Sequence, residues 1–159
     1  MSQALEQQAA LKGIWHVRAY DRDGQLKSEF TDENLIVNGG LAWLAGALSG
    51  DVASPEAMKY LGLGTGDTAA AGTDTALETE VESRVAGTQS RVTTTTTNDT
   101  YQVEGTFTFT DARAVTEYGL FSAASDGTML NRLVRAVNNM AAGEQMVVTC
   151  KIIMQRPTS

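Results

Sequence analysis

The run Asn34-Leu-Ile-Val-Asn-Gly-Gly-Leu-Ala-Trp-Leu-Ala-Gly-Ala-Leu-Ser-Gly50 constrains this chain more than any other. Leu35, Ile36 and Val37 read as a short apolar strand. Asn38-Gly39-Gly40 breaks it with residues that readily supply positive φ. Leu41, Leu44, Ala45 and Leu48 then recur at i, i+3, i+4 and i+7, the spacing of one buried helical face. Gly50 suits the left-handed position just past a helix end. The expectation is a strand that turns sharply into one helix of about two and a half turns. Nearly everything after it alternates as β-structure does.

Alternation supplies the rest of the fold. Ile14, His16, Arg18 and Tyr20 share one face of a strand, and Trp15, Val17 and Ala19 share the other. Asp21-Arg-Asp-Gly24 reads as a hairpin turn, with 26–30 as the returning strand. Asp51 to Lys59, with Pro55, reads as a loop. Tyr60-Leu-Gly-Leu-Gly64 is a strand whose alternate glycines leave room for a backbone or a large ring. The small polar residues from Thr65 to Thr75 form a loop. Arg91 to Asn98 has the β-propensity of a strand, and Asn98-Asp99 turns it back. Tyr101, Val103, Phe107 and Phe109 point inward from the clearest strand of all. Further strands follow at 115–121 and 129–135, joined through Asp126-Gly127. After a turn at Ala141 to Glu144, a last strand carries Met146, Val148, Cys150, Ile152 and Met154 on one face. Val147 and Ile153 on its other face predict a central position. The fold class expected is mainly β: an antiparallel β-sandwich or barrel-like domain over residues 14–155 with one short α-helix. An extended N-terminal arm (1–13) precedes it and a short tail (156–159) follows. The arm has helical propensity but little apolar surface, so it reads as a frayed end or as a segment that orders on a neighbouring subunit.

Composition narrows the function. At 159 residues the chain can bury about 70% of its extended surface without staples, and the lone Cys150 has no partner within the chain. Net charge is −7, from 19 acidic and 12 basic side chains with no basic cluster, which disfavours nucleic acid and anionic membranes. No run of 18 apolar residues occurs, and the first residues lack the pattern of a secretory leader, so a soluble protein made in a cytoplasm is expected.

Chemistry-bearing patterns are weak. The one histidine, His16, has no cysteine or second histidine beside it. Gly62-Leu-Gly-Thr-Gly66 lacks the third glycine and the helix of a dinucleotide loop, and turn glycines explain it better. Asp21-Arg-Asp-Gly24 departs from a calcium loop at Gln25 and Leu26. Glu78, Glu80 and Glu82 share a face at about 7 Å spacing, and two of them could form a hydrolase pair, although solvated carboxylates are commoner. No catalytic, metal or cofactor residue is expected, and the protein is read as not an enzyme.

Several motifs in order resemble a family of tailed-bacteriophage virion proteins: Tyr20-Asp-Arg-Asp-Gly-Gln-Leu-Lys27, Glu33-Asn-Leu-Ile-Val-Asn-Gly-Gly-Leu41, Tyr60-Leu-Gly-Leu-Gly-Thr-Gly-Asp-Thr-Ala69, Thr73-Asp-Thr-Ala-Leu-Glu78, Val115-Thr-Glu-Tyr-Gly-Leu-Phe121 and Ala142-Gly-Glu144. They span roughly residues 14–153. The resemblance is nearest to head decoration (cement) proteins. It implies a homotrimer on the capsid exterior that binds the major capsid protein, bridges neighbouring capsomers and stabilises the expanded head, with no cofactor. Leu5, Ala9, Leu11, Ile14, His16 and Arg18 are then the expected subunit or capsid interface. The alternative is a tail-fibre or baseplate module that grips a receptor or glycan with aromatics such as Trp43 or Tyr60.

Overall fold

The computed structural model describes residues 10–52 and 57–156. Nine strands and one helix follow in chain order: β1 (Ala10–Tyr20), β2 (Leu26–Ile36), α1 (Asn38–Ser49), β3 (Tyr60–Gly64), β4 (Val85–Ala86), β5 (Thr88–Val92), β6 (Thr100–Thr108), β7 (Arg113–Phe121), β8 (Met129–Met140) and β9 (Gln145–Gln155). All nine lie in one sheet, in the order β4-β3-β7-β8-β2-β1-β9-β6-β5, and every pairing is antiparallel. The two edge strands, β4 and β5, are neighbours in sequence with only Gly87 between them. A sheet whose edges are joined by one residue has to curl round until they meet, so the architecture is a nearly closed antiparallel barrel. At the seam, Gly87 is small enough to admit Val103, Leu61 and the Glu104 carbonyl, and Gly105 to admit Leu61 and Val85.

The alternation holds where it was clearest. Trp15, Val17 and Ala19 are fully buried, as are Val103, Phe107, Phe109, Met146, Val148, Cys150 and Ile152. The Trp15 and Tyr118 rings lie 5.8 Å apart, and Phe30 meets Tyr118 edge-on at 5.6 Å. β9 sits between β1 and β6, with Ile153 buried on its outer side as expected of a central strand. The turns also fall where expected. Gly24, Gly127 and Gly143 have φ near +80°, +69° and +87°, and among the described residues Asn98 and Asp126 are the two non-glycine residues with positive φ.

Four expectations need correction. First, β1 begins at Ala10, so residues 10–13 belong to the sheet rather than to an arm. Residues 1–9, 157–159 and the part of the Pro55 loop at 53–56 lie outside the described residues.

Second, the buried face of α1 is displaced by one position. Gly40 is the helix's buried residue, and a Cβ there would run into the Leu130 carbonyl. That contact fixes the roll of the helix. Trp43, Leu44 and Ala47, three, four and seven residues on, turn inward, and Trp43 and Leu44 pack on the core. Leu41 and Leu48 are left 48% and 92% exposed. Neither Gly39 nor Gly40 has positive φ, and Gly40 alone provides close approach, whereas Gly50 does end the helix at φ 82°.

Third, Thr93 to Asn98 is no strand. The Asp99 carboxylate accepts the N–H groups of Thr94, Thr95 and Thr96, which draws the segment into a compact turn. Local side-chain bonding of this kind competes directly with a ladder. Fourth, Gly62, Gly64 and Gly66 are not turn glycines, since none has positive φ. A Cβ at Gly62 would meet the Phe121 ring, and one at Gly64 or Gly66 would meet the Glu117 carboxylate. The ring and the backbone expected near β3 are both present.

Candidate functional site

Two features stand out from the barrel: a buried ionic cluster and an apolar end. The cluster starts with Glu117 on β7, which is 0% exposed. Sheet pairing places it beside β8, where Arg132 reaches across with Nε at 3.0 Å and Nη2 at 2.9 Å. The same carboxylate accepts the N–H groups of Gly66 (3.1 Å), Glu78 (3.0 Å) and Thr79 (2.8 Å). Arg132 also donates to Asp74 at 2.9 Å and lies 3.7 Å from Glu78. A buried charge is tolerable only when it is paired and hydrogen-bonded in this way. The loop from Thr65 to Glu80, which has little apolar side-chain surface of its own, is wrapped round this pair and fastened by it. The loop in turn caps α1, because the Gly72 carbonyl accepts the Asn38 N–H at 2.8 Å. The small, polar run 65–75 is thus an ordered strap with a charged anchor.

The carboxylates considered for hydrolysis are engaged elsewhere. Glu78 accepts the Thr68 N–H and faces Arg132, Glu80 grips Arg84, and Glu82 takes the Arg113 Nε at 2.8 Å. A hydrolytic general acid requires a raised pKa. Glu78 moves the other way, lowered chiefly by its hydrogen bonds to Thr68. Arg84 lies with its guanidinium 3.5 Å over the Phe121 ring and donates to the Ala123 and Asp126 carbonyls, so it buttresses the β7–β8 turn. Cys150 is buried, and burial pushes its thiol up to about 12, far from thiolate chemistry at neutral pH.

Four carboxylates are held below their ordinary range. Asp74 is lowered first by the Ala71 N–H, Glu78 by Thr68, Asp99 far down by the Thr96 and Thr94 N–H groups, and Glu144 by Lys27. Each binds fewer protons folded than unfolded, so its stabilisation is complete above the unfolded values near 4 and is lost as pH falls through the folded ones. Urea midpoints are expected to change little between pH 7 and pH 5.5 and to drop steeply below about pH 4.5. A midpoint at pH 3 equal to that at pH 7 would contradict this assignment.

The apolar end is the second feature. A groove of about 390 Å³ opens between α1 and the ends of β1, β6 and β9, with walls that are almost wholly carbon. Leu11, Trp43, Leu44, Leu48, Ile152 and Met154 are among the residues that line it. A second, mixed depression beside it is lined by Leu11, Leu35 and Leu41 together with Asn34 and the Lys12–Glu33 ion pair. Among the described residues seven large hydrophobic side chains are exposed, and five of them (Leu11, Leu35, Leu41, Leu48 and Met154) surround these two hollows. Apolar surface gathered in one place, rather than scattered, marks a contact site.

The residues expected at an interface are divided by the fold. Leu11 faces the apolar end. Ile14, His16 and Arg18 lie half-buried on the outer face of β1, where His16 meets Glu29 at 2.6 Å and Arg18 lies 3.8 Å from Glu104. Leu5 and Ala9 lie outside the described residues. Trp43 and Tyr60 are both half-buried and packed on core residues. Sequence reasoning missed Glu117 and Arg132; a charged residue in mid-strand next to an inward-pointing large side chain (Glu117 before Tyr118, Arg132 before Leu133) was the available signal. It also missed Leu48 and Met154, since both were assigned to buried faces. No protein-family model, no curated protein and no solved structure matches the chain.

Proposed function

We propose that this chain is a structural protein of a tailed-phage virion that binds the outer surface of the capsid as a trimer and bridges neighbouring capsomers. The observation that carries the reading is the concentration at one end of the barrel of five of the seven exposed large hydrophobic side chains among the described residues. A barrel braced by a buried ionic anchor is a rigid body, and a rigid body with one sticky end suits clamping better than turnover. The ordered motif resemblance supports the same choice. The tail-fibre alternative needs aromatic ring faces open to sugars, and half-burial of Trp43 and Tyr60 counts against it.

Purified protein mixed with expanded, undecorated heads is expected to co-sediment and saturate at hundreds of copies per head, with density at capsomer junctions by electron microscopy. A dozen or fewer copies, all on the tail, would replace this reading with the alternative.

A further inference from the structure

We propose that the apolar groove at the end of the barrel is the socket for residues 1–9 of a second copy of this chain. The inference rests on the reading that the protein works as an assembly of copies, and it names the contact that joins them. Leu11 lines the groove, and β1 begins one residue earlier, so nine residues are available at the rim of each socket. They reach at most about 30 Å extended or about 14 Å as a helix.

The segment's chemistry matches the groove. Met1, Leu5 and Ala9 recur at a spacing of four, which forms a single apolar stripe on a helix. Its one charged side chain is Glu6. Arg91 lines the groove, is exposed, and has no ion-pair partner among the described residues. The groove's acid, Asp99, is taken up by the N–H groups of Thr94, Thr95 and Thr96, so an apolar stripe beside one acid meets an apolar groove whose unpaired charge is Arg91.

The partner is a second copy rather than the same chain because of how β1 ends. Its ladder with β9 continues to the pair Ala10 and Gln155, so the chain is still extended where it leaves the sheet. Gln7-Gln8-Ala9 has no Gly, Pro, Asn or Asp of the kind that makes a tight turn back on the same chain. Repeated head-to-tail, such a contact closes a ring when the rotation between copies closes and builds an open filament when it does not.

The test is a disulfide between segment and socket in the full chain carrying Leu5→Cys and Leu48→Cys, oxidised with diamide. Leu48 is 92% exposed, so its replacement leaves the fold intact, and buried Cys150 does not compete. Interchain products, reversed by thiol and several-fold more abundant than in either single-cysteine control, are expected. A faster-migrating intrachain monomer would show the segment in its own groove and overturn the proposal, as would products no more abundant than in the controls. Head binding by the unoxidised protein is scored separately. Heads bound without interchain products sink the socket and spare the capsid reading; interchain products without head binding do the reverse.

Discussion

Glu117→Ala is expected to lower the free energy of unfolding by about 3–5 kcal/mol, the cost of stranding one member of a buried ion pair. Against a total of roughly 5–15 kcal/mol for a domain of this kind, that removes a large share of the stability. Arg132 keeps Asp74 as a partner in the variant but loses the carboxylate deepest in the cluster. Three backbone N–H groups, those of Gly66, Glu78 and Thr79, lose their acceptor at the same time. Replacing both charges, as in Glu117→Ala with Arg132→Met, often restores stability at a simple buried pair. Here recovery is expected to be partial, because the double variant still leaves those three donors without an acceptor, at about 1–3 kcal/mol for each one that stays buried. Urea denaturation of the two single variants and the double one measures this, and amide exchange at Gly66, Glu78 and Thr79 localises it. A Glu117→Ala variant within about 1 kcal/mol of the parent would mean that water reaches the cluster and that the strap is held by something else.

The parts of this fold legible in the sequence are those decided by local rules. Trp15, Val17 and Ala19 point inward because strand side chains alternate, and nothing distant overrides them. Gly24, Gly127 and Gly143 mark turns because the required φ suits glycine. The failures were decided by contacts between distant segments or by bonding that a propensity scale ignores. The face of α1 is set by Gly40 against Leu130, ninety positions along, and a periodicity of 3.6 accepts either of two adjacent registers when Ala and Leu occupy both. The threonine run from Thr93 has strong strand propensity, yet one carboxylate at Asp99 outweighs it by offering three N–H groups an immediate acceptor. Glu117 and Arg132 were unreadable as a pair because only the register of β7 on β8 brings them together. The apolar end was hidden for a related reason. Leu48 and Met154 carry the pattern of core residues, and only closure of the barrel shows that the core stops short of them.

Leu48→Lys is the variant in which assembly and folding part company. In the isolated barrel Leu48 is 92% exposed, in the last turn of α1 at the mouth of the groove. Truncating it removes almost no intramolecular packing, and a cation near a helix C-terminus is mildly favourable. The unfolding free energy is therefore expected to stay within about 0.5 kcal/mol of the parent. Contact between copies should respond quite differently, because an ammonium group would sit where an apolar stripe has to dock and would lose its water there. A residue central to such a contact is worth about 2 kcal/mol or more, so the dissociation constant of the assembly is expected to rise at least about thirtyfold. Sedimentation velocity across a concentration series reads the assembly, and urea denaturation at low protein concentration reads the fold. If Leu48→Lys leaves the association constant unchanged, the apolar end is not where copies meet, and the socket is then better sought on the outer face of β1, where Ile14, His16 and Arg18 lie half-buried.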